Sequence, residues 1–441
     1  MVKKMNHYDV AIVGAGPAGM AVAKTLDPRL KFILVDKGLG IKERTSITSG
    51  FGGAGLFSDG KLIMSDVVGG NIKNYTTKPY YYLEQAAYMF GVTGAPYTKV
   101  YLDDKKQKLA DEASKVGLEL IATNTIHLGT DGCKTVTERI YEELKPVCEI
   151  LVDNPVSNIL YPTEDEEFYL EAKKFPIYCK YLVLAPGREG AKWLSEVLTN
   201  MNVKVSGNKV DLGLRMEVPN AVAKELVEFA HDFKAHYHTK AFDDLVRTFC
   251  TCPSGQVVRE QFDDLTTCNG HSFSQGRTDY TNFAILVSIP FGDPINPNEY
   301  GRSIVSLANN IAKGGVVVQR LGDLLVGRRS TASRIAKSVV KPTLDAFPGD
   351  LSLVLPYRYL SDIVEMIEKL DNIAPGMMAG GNLLYGVEAK FYSNVIELKN
   401  METSVPNLFC AGDGSGVSRG IVQAVASGII AGDAINKKAG A

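Results

Sequence analysis

One glycine spacing near the start of this chain limits what it can fold into more than any other feature. Residues 10–26 read VAIVGAGPAGMAVAKTL, so that four apolar residues run straight into Gly14-Ala15-Gly16-Pro17-Ala18-Gly19 and a helix-like pattern follows. Tyr8 to Val13 reads as a buried parallel strand and the residues after the turn as a helix. Gly14 makes the tight turn and Gly16 admits a pyrophosphate close to the backbone. Gly19 lets the helix lie against the sheet, with Pro17 and Ala18 between them. The new helix offers free N–H groups and the positive end of its dipole to phosphates. A second apolar run, KFILVDK, ends at Asp36 and Lys37, about twenty residues beyond the glycines. A carboxylate there accepts hydrogen bonds from ribose hydroxyls and repels a 2′-phosphate, which leaves FAD or NAD as the ligand.

At 441 residues the chain is long enough for two domains. A net charge of −2 gives no global basic field, so neither nucleic acid nor an anionic membrane is expected as a partner. No apolar stretch approaches the roughly 20 residues of a membrane span. The opening MVKKMNHYDVAIV has basic residues before an apolar run, but Val10 to Val13 is too short for a signal-peptide core. Seven cysteines, an odd number scattered over a large chain, argue against a disulfide framework and for a reducing cytoplasm.

Two later stretches choose between the dinucleotides. YCKYLVLAPGREG (178–190) is a strand running into Ala185-Pro186-Gly187, and VPNLFCAGDGSG (405–416) is a strand ending in Ala411-Gly412-Asp413 before a helix of small residues. Both resemble the later motifs of the two-dinucleotide-fold flavoproteins, the group that includes glutathione reductase. That resemblance implies FAD. It implies that the Ala185–Gly187 turn closes on the cofactor and that Asp413, after Gly412, bonds the ribityl chain. It also implies that Val156 clamps the adenine through its backbone and that Gly420 and Ile421 offer N–H groups to the flavin pyrimidine. A helix N-terminus there would favour the anionic reduced flavin. The loop SGFGGAGLFSDGKL (49–62) is expected to touch the cofactor through backbone amides, with Gly52 and Gly53 at its centre.

A narrower resemblance is to the bacterial and archaeal FAD-dependent dehydrogenases. It rests on that loop, on HLGTDG (127–132), VDLGLRMEVP (210–219), CTCPSGQVV (250–258) and GVEAKF (386–391), and on the closing AGDGSGVSRGIVQAVASG. The family commonly reads G-E-G-A-G where this chain has Gly412-Asp413-Gly414-Ser415-Gly416, and T-S-S where it has Phe391-Tyr392-Ser393. Those positions are expected near the flavin, so substrate choice is expected to differ.

The expected fold is α/β: a discontinuous Rossmann-like FAD-binding domain, with a parallel sheet and a β-meander, and an inserted mixed α+β substrate domain. The boundaries fall at 1–200 (with a mainly helical excursion over about 70–126), 201–375 and 376–441. DDKKQKLADEASKVG reads as an amphipathic surface helix, and NFAILVSIPFG and VDLGLRMEV as strands of the inserted domain. The expected function is an FAD-dependent oxidoreductase that takes hydride from a small organic substrate at flavin N5. The alternatives are an NAD(P)H-fed reductase of an activated C=C bond, similar to isoprenoid reductases, and a flavin-bound accessory protein for RNA modification or complex assembly. No second strand–glycine–helix unit is evident in the sequence, so a nicotinamide donor would dock transiently. By the family resemblance Glu388 is the candidate base, against the reading that it pairs with an Arg or Lys. Arg419 is a candidate holder of an anionic substrate, and His127 a candidate substrate contact. Cys250, Cys252, Cys268 and His271 admit three readings: structural thiols, zinc ligands or a redox relay. C-x-C is a poor first half for a zinc knuckle, and no metal is expected. The arginine-rich 316–334 lacks interleaved aromatic residues and reads as a solvated face or a bracket around the substrate cavity.

Overall fold

Long apolar strands and alternating ones sort into two sheets, one in each of two units. The computed structural model describes residues 6–55, 58, 60–92, 102–161, 167–262, 264–271, 277–289, 291 and 295–440. One unit gathers residues 1–99, 123–208 and 393–441, and the other 100–122 and 209–392. The joints therefore lie at 208/209 and 392/393, where the sequence expectation set them near 200 and 375.

In the first unit the five parallel strands run in the order Glu149–Leu151, Phe32–Val35, Asn6–Val13, Ile177–Leu184, Leu408–Cys410. They read as near-continuous apolar runs because packed elements cover both faces. The Ile177–Leu184 strand divides its outer edge between two partners. Its last three residues pair in parallel with Leu408–Cys410, and its first three pair antiparallel with Phe168–Ala172. Val156–Leu160 then completes the meander.

Helices Pro17–Thr25 and Ile421–Ala439 lie against each other in this unit. Small residues permit that approach: a Cβ on Gly428 would stand 2.2 Å from the Ala18 carbonyl oxygen, and one on Gly432 would stand 2.7 Å from Thr25 Cβ.

The region expected to be mainly helical is mixed. Helices form at Pro79–Met89 and Asp104–Lys115, the latter capped by Asp103, whose side chain accepts from the Lys106 N–H at 2.9 Å. Glu119–Ile121 and Asn124–His127 are strands instead. Thr125 and Ile126 are β-branched and suit a pleated surface better than a helix. Residues 93–101 lie outside the described residues.

The second unit is built on an eight-stranded sheet ordered Phe347–Pro348, Val317–Arg320, Leu383–Lys390, Val210–Pro219, Tyr280–Ile289, Leu245–Cys252, Lys234–His238, Glu119–Ile121. Alternation along Val210–Pro219 decides its faces. Leu212, Leu214, Met216 and Val218 join the core formed with helices Asn220–Phe229, Pro297–Ile311 and Tyr357–Ile373. Asp211, Arg215 and Glu217 point the opposite way, and all three are fully buried. Among the described residues no helix is long and apolar enough to cross a membrane.

Candidate dinucleotide site

The parallel strands of the first unit all deliver their carboxyl ends to one edge, where a cleft of 580 Å³ opens. At its floor Gly14 has φ +107°, and a Cβ there would stand 2.1 Å from the Ala185 carbonyl oxygen. The Ala185 N–H donates to the Val13 carbonyl at 2.8 Å, so the first turn and the Ala185–Gly187 turn share one wall. Gly16 caps helix Pro17–Thr25 without a side chain, which leaves the first N–H groups of that helix facing the cleft.

The expected cofactor residues divide into two groups. Gly14, Gly16, Pro17, Ala18, Asp36, Lys37, Gly53, Val156, Ala185, Gly187, Gly412, Asp413, Gly420 and Ile421 all line this cleft. Gly19 and Gly52 do not, because both act on the backbone beneath it. A Cβ on Gly19 would stand 1.8 Å from the Gly14 oxygen, so this glycine is what brings helix and strand together. The Gly52 N–H donates to the Ala15 carbonyl at 2.8 Å, tying the second glycine loop to the first. Leu56, Phe57 and Asp59 of that loop lie outside the described residues.

Asp36 carries more than a ribose contact would require. One carboxylate oxygen accepts from the Ala15 N–H at 2.8 Å. The other accepts from the N–H groups of Gly38 at 2.8 Å and Gly50 at 2.9 Å. The residue thus clamps both glycine loops to the end of the second strand, with one lone pair still open. Replacing Asp36 by Asn removes the charge and turns an NH₂ group toward backbone donors. The expected loss is about 2 kcal/mol of cofactor affinity, roughly thirtyfold in Kd, checked by titrating FAD into apoprotein.

Beside it Lys37 pairs with Glu189 at 2.5 Å, and Glu189 also accepts from Ser49 Oγ at 2.7 Å and from Thr48 Oγ1. Burial pushes the Glu189 carboxyl up, but the Lys37, Thr48 and Ser49 hydrogen bonds outweigh it and bring it down to about 2.

Two residues that sequence reasoning missed complete this end. Arg44 folds into the loop and donates to the carbonyls of Ser46, Ile47 and Phe51 at 2.7–2.9 Å, fixing its path. Asn154 is fully buried in the cleft wall; its Oδ1 accepts from the Lys174 N–H, while its Nδ2 has no hydrogen-bond partner. A buried amide donor left open in a nucleotide-sized cleft is a mark of a missing acceptor. The only sequence hint was its place in a D-N-P turn between two strands.

At the other end Gly412 has φ +80° and donates its N–H to Ser427 Oγ at 2.9 Å. Asp413 accepts from Ser418 Oγ and sits 3.2 Å from Arg188 Nη2. Gly420 caps the 19-residue helix Ile421–Ala439 with no side-chain hydrogen bond, so that helix too presents bare N–H groups and its positive end to the cleft. Arg419 lines the same end, its backbone N–H donating to the Gly69 carbonyl at 2.8 Å. These features fit FAD: two helix N-termini with glycine caps, an acid at the second strand, and an open amide donor in one wall.

Two expected residues stand elsewhere. His127 pairs through its backbone with Lys61, and its side chain lies outside the described residues. Glu388 belongs to the second unit. The sequence expectation had the chain re-entering the FAD domain here, yet strand Leu383–Lys390 hydrogen-bonds to Val210–Pro219. That register sets Glu388 opposite Gly213, two residues from Arg215 along the neighbouring strand, so that the two side chains meet on the buried polar face. The two form a two-point ion pair at 2.6 and 2.9 Å, with neither side chain exposed. Arg215 spends its remaining donors on Asn282 Oδ1 at 2.8 Å, the Cys250 carbonyl at 3.1 Å and Asn269 Oδ1 at 3.2 Å. Burial raises the Glu388 pKa, but Arg215 and Lys390 outweigh it and hold the carboxyl below its ordinary value. A carboxylate so held is a poor proton acceptor. The pairing reading replaces the catalytic one because a fork of five donors needs an anion to be buried at all.

Among the described residues no group of three or more His, Cys, Asp or Glu stands where it could hold a metal ion. Cys268 lies fully buried with its Sγ 3.6 Å from the Tyr385 carbonyl.

Residues 212–391 match the family described as FAD-dependent protein, C-terminal domain-like, and residues 343–441 match glucose inhibited division protein A. An uncharacterized protein of Clostridium beijerinckii is 26% identical over 463 residues, spanning 95% of this chain and 79% of its own. Among solved structures, glycine oxidase from Geobacillus kaustophilus overlays with TM-score 0.38 at 11% identity, over 98% of this chain and 95% of that one. A ternary complex of aklavinone-11 hydroxylase with FAD and aklavinone gives 0.38 at 12% identity, over 98% and 63%. The matched family is described as FAD-dependent, the cleft fits that dinucleotide, and FAD is the cofactor of this chain.

Proposed function

We propose that the protein is a dehydrogenase that oxidises a carbon–hydrogen bond of a small organic substrate. Bound FAD would supply the redox step, accepting hydride at flavin N5. The observation that carries the reading is a single cleft in one unit, bordered by Gly14–Ala18 at one end and by Gly412–Ile421 at the other. In this reading the amides after Gly16 hold phosphate, and the amides after Gly420 face the negative charge that develops on reduction. Arg419, beside that second helix start, orients an anionic group of the substrate through its planar fork. Cytoplasmic residence fits seven cysteines that are all free thiols.

The test is anaerobic. Yellow holoprotein mixed with a pool of small acids, amines and alcohols should bleach in the flavin band, and a nicotinamide donor should be needed for neither binding nor bleaching. If only NADH or NADPH bleaches it and an activated alkene restores the colour, the protein is a C=C reductase and the proposed direction is reversed. If nothing bleaches it while RNA or protein co-purifies stoichiometrically, the accessory reading takes its place. For an anionic substrate, Arg419→Gln is expected to raise KM about tenfold, equivalent to the loss of about 1.4 kcal/mol, with FAD content unchanged. A lowered kcat at constant KM would place the arginine in the chemical step instead.

A further inference from the structure

The second unit holds a pair of thiols that no step above uses. Strand Leu245–Cys252 pairs in register with Tyr280–Ile289 as far as Phe249 opposite Ala284, then slips, so that Cys252 stands opposite Asn282. The one extra residue makes a bulge in which Cys250 has φ +47°. In a flat strand, side chains two residues apart stand well separated on one face. Here the bulge folds them together: the Cys252 thiol donates to the Cys250 carbonyl at 3.6 Å, and its side chain reaches that of Cys250.

The surroundings are built around the pair. Arg215 donates from Nη1 to the Cys250 carbonyl at 3.1 Å. Across from them Gly270 leaves the room: a Cβ there would stand 2.3 Å from Arg215 Nη1 and 2.9 Å from Cys252 Sγ. Cys250 is part-exposed, Cys252 is buried, and each of the other five cysteines is buried.

We propose that Cys250 and Cys252 form a dithiol–disulfide exchange couple acting on low-molecular-weight disulfides, with Cys250 attacking and Cys252 resolving. The Cys250 thiolate attacks one sulfur of R–S–S–R, forms the mixed disulfide Cys250–S–S–R and releases one RS⁻. Cys252, losing its proton, attacks the Cys250 sulfur and breaks the mixed bond. The second RS⁻ leaves, and the two thiol protons of the protein end on the two released thiols. The protein dithiol is oxidised by two electrons and the small disulfide is reduced by the same two. A small dithiol runs the steps backward and restores the pair.

The electrostatics agree. The hydrogen bond from Cys252 is the largest influence on Cys250 and lowers its pKa. Burial raises it, the Arg215 guanidinium lowers it, and Asp232 and Glu388 raise it; the balance falls at about 6. Lys390 also faces this charge: burial lowers its pKa, but Glu388 and Glu260 outweigh it, with a smaller upward push from Cys250.

The test uses the full FAD-loaded chain, reduced and then freed of reductant, with 5,5′-dithiobis(2-nitrobenzoate) as the probe. Released thionitrobenzoate is separated from flavin by chromatography. The wild-type chain should release two equivalents quickly and leave a Cys250–Cys252 disulfide in the peptide map. Cys252→Ser should release one equivalent and keep the adduct on Cys250. Cys250→Ser should slow the first release at least tenfold, and the wild-type rate should inflect near pH 6. The proposal is overturned if the wild type keeps separate adducts on both thiols, if Cys250→Ser reacts as fast as wild type, or if the inflection lies where free thiols titrate. Should a serine variant not fold, the wild-type peptide map and pH profile decide between these outcomes.

Discussion

Gly14→Ala should yield a chain without flavin. The new methyl group would stand 2.1 Å from the Ala185 carbonyl oxygen, at a backbone φ of +107° that L-residues rarely adopt. Neither obstacle yields cheaply, since the atom it meets is backbone of the turn that directly follows the neighbouring strand Ile177–Leu184. Backbone strain and overpacking together cost on the order of 4 kcal/mol. The two turns that share the Val13 and Ala185 wall must separate, which opens the phosphate end of the cleft. Absorbance at the flavin band should fall from about one FAD per chain to below detection, with a lower thermal midpoint. Gly314→Ala is the control. Gly314, outside the cleft lining, also has positive φ, +84°, but a Cβ there meets nothing within 4 Å. It should cost about 1 kcal/mol and keep its FAD. Full flavin occupancy in Gly14→Ala would remove the turn from the cofactor site.

The second large effect belongs to the buried pair. Glu388→Gln leaves the Arg215 charge without its anion in a site that water does not reach. Removing one partner of a buried ion pair costs about 3–5 kcal/mol, read as a shift of the denaturant midpoint. The double change Arg215→Met with Glu388→Leu should cost less than the two single changes added, because the guanidinium goes with its anion and Lys390 keeps Glu260 at 3.3 Å. Chemical denaturation of all three variants measures this directly. A Glu388→Gln protein of wild-type stability and no turnover would restore Glu388 to catalysis. The pair also fixes a sign for acid stability. The folded carboxyl is held below its ordinary value, so its contribution is present above the ordinary carboxylate range and lost as pH falls through the folded value.

Much of the cofactor cleft was legible in the sequence, and the polar face of the second sheet was not. Gly14, Gly16 and Asp36 could be read because their work is done within a strand, a turn and the next strand. The later corners, Ala185–Gly187 and Gly412–Asp413, were recognised by resemblance and line the same cleft. Arg44 and Asn154 escaped notice because one arginine and one asparagine in loops carry no spacing signal. The region of about 70–126 was expected to be mainly helical, yet Glu119–Ile121 and Asn124–His127 form strands because β-branched residues there find partners in Lys234–His238 and Lys61–Met64.

Glu388 marks the limit most sharply. Its type and its G-V-E setting suggested a site beside the flavin, while its partner stands 173 residues earlier in the chain. By itself the sequence determined where the backbone must turn and where it can lie close to phosphate, because glycine sterics act within a few residues. Only the tertiary structure decided that Glu388 meets Arg215 and that a strand slip brings Cys250 to Cys252. Those outcomes depend on register between distant strands, and a shift of one residue would send the same side chains to the opposite face.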